Sequence, residues 1–176
     1  IDKNLTGVYY LGISIARKNS TPLVTVDTMN KVDRLTHFLE SQPEIPKVNS
    51  LTLLIKKIHQ ARVGDPEGFR IPEDEETLNG YVGRMAESNN PDFWSFISRD
   101  FNQLRLEARM KAVGTQSGGA LETRIWNYVK EHFDDTYEIK ITGSVSLLGQ
   151  MSERLVQNQM GSLGIAFLII LGLISI

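Results

Sequence analysis

The sequence predicts an α+β domain, and three observations carry that expectation. Two segments, 5–17 and 103–112, alternate apolar and polar residues with a period of two, as strands with one buried face do. Between and after them run stretches whose apolar residues fall three and four apart, the spacing of helices with one buried stripe. The third observation concerns charge. The chain has 176 residues, with 19 Lys and Arg against 21 Asp and Glu, yet all 40 lie at or before Arg154, and residues 155–176 carry none. A charged, domain-like part therefore runs into an apolar tail.

In chain order, residues 5–17 (LTGVYYLGISIAR) place Tyr9, Leu11, Ile13 and Ile15 on one face and Val8, Tyr10, Gly12 and Ser14 on the other. After the turn-prone NSTP at 19–22, Asp27 or Thr28 is expected to cap a helix with Met29, Val32, Leu35, Phe38 and Leu39 inward. Pro43 and Pro46 end it, and Lys47 to Asn49 form a short second strand. Ser50 caps a second helix with Leu51, Leu54, Ile55 and Ile58 inward, stopped by Gly64 and Pro66. Residues 65–76 (DPEGFRIPEDEE) hold six acids and one arginine. They lack the alternating oxygen ligands and central glycine of an EF-hand loop, so they read as a solvated loop. Glu73, Asp74, Glu75 and Glu76 suit the positive end of the helix that follows, which buries Leu78, Tyr81, Val82 and Met85 and is closed by Asn90-Pro91.

Residues 93–97 (FWSFI) are expected as a strand, paired through a turn near Arg99-Asp100 with the strictly alternating strand from Gln103 to Ala112. There Leu104, Leu106, Ala108, Met110 and Ala112 face the core, opposite Gln103, Arg105, Glu107, Arg109 and Lys111. Gly114 to Gly119 leads into a helix with Leu121, Ile125, Tyr128 and Val129 inward, and Tyr137, Ile139 and Ile141 mark the last strand. The order is thus strand, helix, strand, a helical insertion at about 51–90, hairpin, helix, strand. Two successive βαβ-like halves of this kind resemble the ferredoxin-like (split βαβ) arrangement. The expected domain covers residues 1–144, Thr142-Gly143-Ser144 ends its last strand, and an amphipathic connecting helix follows at 145–159.

From Met160 to Ile176 the sequence reads MGSLGIAFLIILGLISI, with only Ser162 and Ser175 polar. Seventeen residues of helix cover roughly 25 Å, somewhat less than the ~30 Å hydrocarbon core of a bilayer. The expectation is the first part of a truncated transmembrane helix. A buried helix of a soluble core and a simple tail anchor are the other readings. Gly161, Ser162, Gly164 and Ala166 are small enough to let such a helix pack closely on neighbours. The chain begins at Ile1 and its apolar run is still unbroken at Ile176, so both ends are expected to be cuts through a longer polypeptide.

Chemistry-bearing motifs are sparse. The absence of cysteine excludes disulfides, thiolate metal sites and cysteine nucleophiles, and a formal charge of −2 does not favour nucleic acid as a partner. His37, His59 and His132 have no second ligand at metal-binding spacing on a helix face, so no metal is expected. The GTQSGG at 114–119 lacks the lysine and glycine spacing of a phosphate loop, and no GxSxG elbow or Ser-His-acid set is present. Neither a cofactor nor catalysis is expected. Phe93, Trp94 and Phe96 are candidate contacts for a hydrophobic ligand, with an aromatic core strand as the other reading.

The last third, ITGSVSLLGQMSERLVQNQMGSLGIAFLIILGLISI, resembles the junction at which an extracytoplasmic domain of resistance-nodulation-division (RND) superfamily exporters returns to the membrane. Thr142 to Ser144 stands where that junction has its turn, Leu155 to Gln159 matches its helix, and Ser162 to Phe167 matches its way into the bilayer. IDKNLTGVYYLGISI is similar to the strand that leaves the preceding membrane helix, and ISRDFNQLRLEARM at 97–110 to the central hairpin. The likeness covers nearly the whole chain and is greatest to the MMPL-like, lipid- and hydrophobe-handling branches. It implies a porter-type domain on the periplasmic side of a bacterial inner membrane, in a proton-driven exporter of hydrophobic compounds or lipids. It also implies as partners the lipid bilayer, the remaining membrane helices, a second loop domain and, in some cases, further copies of the chain. The alternative is a membrane-anchored ligand-binding or sensor module on the same fold.

Overall fold

The computed structural model describes residues 9–19, 21–111 and 115–143. The expected turn residue Ser144, the connecting helix at 145–159, the apolar segment 160–176 and its packing residues Gly161, Ser162, Gly164 and Ala166 lie outside the described residues.

Alternation produces the first strand, β1 (Tyr9–Arg17), in which Leu11, Ile13 and Ile15 are buried while Tyr10 stands in solvent. Helix α1 (Val26–Glu40) follows. Its cap is Thr25, ahead of the expected Asp27 or Thr28, because the Thr25 hydroxyl accepts the Thr28 N–H at 3.2 Å. That frees Asp27 for the first turn, where it favours the helix dipole. β2 (Lys47–Asn49) leads at once into α2 (Leu51–Val63), closed by Gly64 in the left-handed conformation that glycine adopts without strain. A single 3-10 turn at Pro66–Gly68 packs back on α2, and Asp74 caps α3 (Glu75–Glu87) by accepting the Thr77 N–H at 2.7 Å.

The structure corrects one element. Residues expected as a strand at 93–97 form a short helix, α4 (Pro91–Phe96), and Ile97 alone makes an isolated bridge to Leu104. The reason is local. Asn90 caps the segment by accepting the Asp92 N–H at 2.9 Å, and Pro91 occupies the first helical position, where its missing N–H costs nothing. Over five residues an apolar run fits either period, and Phe93 and Ile97, four apart, are the pair that is buried. The helical insertion thus extends from α2 through α4, beyond residue 90. Asn90-Pro91 opens the next helix as well as following α3.

β3 (Gln103–Met110), α5 (Thr115–His132) and β4 (Tyr137–Gly143) complete the described domain. Four strands form one antiparallel sheet in the order β2-β3-β1-β4. β1 and β2 both run against β3, which lies between them, and β3 and β4 both run against β1. Each strand–helix–strand unit is therefore split by one strand of the other. One face of the sheet, with Leu11, Ile13, Ile15, Leu104, Leu106, Ala108 and Met110, packs on Met29, Val32, Leu35 and Leu39 of α1 and Leu121, Ile125 and Val129 of α5. The two helices meet where Phe38 stacks on Tyr128 at 4.1 Å between ring centroids. The other face carries Gly12, Ser14, Arg105, Glu107, Arg109, Glu138 and Lys140, the wet side read from β3.

β1 starts beside the end of β4, because Leu11 pairs with Gly143. The two strands come so close there that a Cβ on Gly143 would lie 2.2 Å from the Tyr10 carbonyl oxygen, and its φ of +117° is a glycine conformation. Among the described residues no helix is long and apolar enough to cross a membrane.

Candidate functional site

The three aromatic candidates on α4 separate. Phe93 is fully buried and belongs to the core. Phe96 is half-buried against the same core. Trp94 lies edge-to-face on Phe93 at 4.8 Å and on Phe101 at 5.8 Å, with the Arg99 guanidinium 4.9 Å above its ring. Its indole N–H is inaccessible and has no hydrogen-bond partner.

The turn after α4 holds Trp94 in place. The Asp100 carboxylate accepts the Ser98 hydroxyl at 2.5 Å and the Asn102 backbone and side-chain N–H groups at 3.3 and 3.2 Å. The Ser98 hydroxyl bond leads in holding the Asp100 carboxyl below the usual carboxylate range. The tight loop forces Phe101 to φ +57°, and the contact with Trp94 offsets part of that strain.

Trp94 reaches a cleft, a space of about 370 Å³ on the wet sheet face lined also by Ser14, Gln103, Arg105 and Thr142. Gln103 donates to the Ser14 hydroxyl at 2.5 Å across its floor. This cleft is polar, and its floor is satisfied internally. Trp94 and Ile97 share its lining with polar side chains, so it is less apolar than a site for a hydrophobic ligand usually is.

The apolar concavity lies elsewhere. Between α2 and α3 a groove of about 400 Å³ is lined by Ile58, Ala61, Arg62, Tyr81, Arg84 and Met85, with Ser88 at one end. Two amphipathic stripes meet here and do not close completely. The Tyr81 hydroxyl is tied to His59 Nδ1 at 3.0 Å, which fixes the ring as a wall of the groove. The sequence gives a partial signal: Ile58, Tyr81 and Met85 follow the inward spacing, and the structure buries Tyr81 and Met85 and leaves Ile58 half-buried; that they border a shared groove depends on the angle between two helices.

The remaining polar clusters have structural explanations. Arg17 donates to Thr21 at 2.9 Å, to Thr28 at 3.1 Å and to the Tyr137 hydroxyl at 2.9 Å, tying β1, α1 and β4. Beside it, the hydrogen bond to Asp27 raises the Lys31 pKa, against the opposing effect of burial. Lys56, nearly buried on α2, sits 2.8 Å from Asp33 of α1. The approach lacks hydrogen-bond direction, so Asp33 Oδ1 is compensated by charge alone. His37 faces the same carboxylate at 3.6 Å, and His132 stacks on Tyr128 at 4.0 Å. Among the described residues no three His, Asp or Glu side chains gather as a metal site would require.

No protein-family model matches this chain, and no curated protein matches it.

Proposed function

We propose that this chain is the substrate-handling, extracytoplasmic part of an RND-type, proton-driven membrane exporter, which passes hydrophobic compounds or lipids outward and itself performs no catalysis. The observation that carries this reading is the pairing of Leu11 with Gly143. It puts the start of the first described strand and the end of the last one side by side at one end of the sheet. A domain held this way can be inserted as a loop between two neighbouring membrane helices. The end of β4 leads within a dozen residues to the charge-free stretch 155–176. Adjacent ends are common in domains, so the weight falls on their combination with that stretch.

Two further features support it. The order β2-β3-β1-β4 with split strand–helix–strand units supports a ferredoxin-like reading of the domain, the fold that the resemblance to exporter loops implies. An apolar groove in the insertion between β2 and β3 supplies a surface for hydrophobic cargo. The residues of the proton motor would lie in membrane helices, where an ionisable group is costly and usually functional.

The test is topological. Because the chain has no cysteine, single cysteines placed at exposed Lys57 and Glu87 are unique labels. They should react with a membrane-impermeant maleimide in intact cells whose outer membrane has been permeabilised. The coding sequence around residues 1–176 should specify about a dozen spans in two similar halves. Protection of both cysteines overturns the reading, and a single span in the gene would replace it with the anchored binding or sensor module.

A further inference from the structure

We propose that the groove between α2 and α3 binds a long-chain amphiphile with an anionic head, its chain lying on Ile58, Ala61, Tyr81 and Met85 and its head meeting Arg62 and Arg84. The inference rests on the hydrophobe-handling reading and specifies which cargo that reading requires.

Charge complementarity carries it. Arg62 and Arg84 come from different helices, yet both line this groove, whose wall is otherwise largely apolar. Neither pairs with a carboxylate among the described residues, although acids outnumber basic residues in the chain. Arg84 spends only its Nε–H, on the Gly80 carbonyl of its own helix at 3.2 Å, which leaves the forked end of the guanidinium for a ligand. A fork of parallel N–H donors matches the two oxygens of a carboxylate or phosphate.

The apolar part has suitable size and rigidity. About 400 Å³ lies within the roughly 300–1,000 Å³ of small-molecule sites. Tyr81 cannot swing across the opening while His59 holds its hydroxyl. Met85 is unbranched and polarisable, so it can fit chains of different shape. A neutral hydrocarbon would use the apolar floor alone and leave both exposed guanidinium groups to water, whereas an anionic head adds charge-assisted hydrogen bonds at the rim. This pairing distinguishes the groove from the cleft at Trp94, whose polar floor is already hydrogen-bonded.

The full chain, reconstituted in phosphatidylcholine nanodiscs, should be titrated with 11-(dansylamino)undecanoic acid, with empty nanodiscs subtracted. Saturable binding is expected, displaced by laurate or by lysophosphatidylglycerol but not by dodecanol or acetate. Displacement by laurate identifies a free carboxylate as sufficient, and displacement by the lysolipid alone assigns a phosphate head; either supports the anionic site. R62Q with R84Q should weaken binding about tenfold or more, and Ala61→Trp, which fills the groove from an exposed position, should abolish it. Circular dichroism of these surface variants should match that of the parent chain. No saturable signal above empty nanodiscs, equal affinity of the double arginine variant, or competition by dodecanol as effective as that by laurate would each overturn the proposal. All of these are equilibrium measurements on this chain, so their failure leaves the topological test of the exporter reading untouched.

Discussion

Replacing Lys56 by methionine should loosen the helical insertion from the sheet-covering layer, because a largely buried ion pair joins α2 to α1. Lys56 Nζ lies 2.8 Å from Asp33 Oδ1, with the two side chains 7% and 18% exposed. At an effective dielectric of 20 the attraction is on the order of 6 kcal/mol, and desolvation of both ions offsets most of it. Lys56→Met keeps the volume and the packing but leaves Asp33 facing only His37, at 3.6 Å. Breaking a fully buried pair from one side costs about 3–5 kcal/mol. Asp33 keeps some access to water, which lowers the expectation to about 2–3 kcal/mol. Loss of the ammonium above the Phe69 ring, 4.7 Å away, contributes to the same figure. Urea unfolding followed through Trp94 and Trp126 measures it. The double variant with Asp33→Leu removes both charges and should return to within about 1 kcal/mol of the parent chain. A Lys56→Met chain as stable as the parent, or a double variant that loses the sum of the two singles, would refute the reasoning.

Two further outcomes are expected. Phe93→Ala should cost about 3–5 kcal/mol in the same unfolding measurement, since Phe93 is fully buried. Unchanged stability together with weaker binding of a hydrophobic probe would return Phe93 to the ligand surface. Acid should destabilise the domain through Asp74, Asp100, Asp134 and Glu138, whose carboxyls are held below their ordinary values by hydrogen bonds from Thr77, Ser98, Thr136 and Lys140 respectively. Such groups bind protons less readily folded than unfolded, so their contribution is complete above the unfolded pKa near 4 and is lost as pH falls through the folded one. Thermal midpoints should therefore drop between about pH 4 and 2, and the drop should shrink in Asp74→Asn, which retains an acceptor for the Thr77 N–H. A midpoint that rises on acidification would contradict this.

Much of the fold was legible because the relevant signals are local and long. β3 alternates over eight residues with one face wet, and α1 repeats its stripe over fifteen, so period alone identifies both. The segment at 93–97 is a helix where the sequence predicts a strand, because four apolar residues interrupted by Ser95 do not define a period. The deciding information is the Asn90 cap and Pro91, signals that suit the end of one helix as well as the start of the next. Of the candidate site, Trp94 does reach a cleft, whereas Phe93 is core, a distinction that follows from which side of a short helix faces the sheet edge.

The groove between α2 and α3 shows why a binding surface is harder to read than a core. Its apolar residues obey the same three-and-four spacing as buried ones, and its arginines look like ordinary solvated charges. What separates the two cases is the register between helices: α2 and α3 bring Arg62 and Arg84 to one opening, where neither pairs with a carboxylate among the described residues. Insertion residues are also constrained differently from the sheet. The segment after α4 meets β3 through the Ile97–Leu104 bridge and the hydrogen bonds between Ser98 and Gln103, whereas β1 is hydrogen-bonded along its length to β3 and β4. The Lys56–Asp33 pair therefore lies on the connection by which occupancy of the groove would be felt by α1 and the sheet. If that connection transmits strain, Lys56→Met should weaken the stabilisation that a bound amphiphile confers on the sheet while leaving its affinity for the groove nearly unchanged, because Lys56 does not line the groove. Equal ligand-induced protection of the β1 and β3 amides in both chains, measured by hydrogen exchange, would show that the insertion and the sheet respond independently.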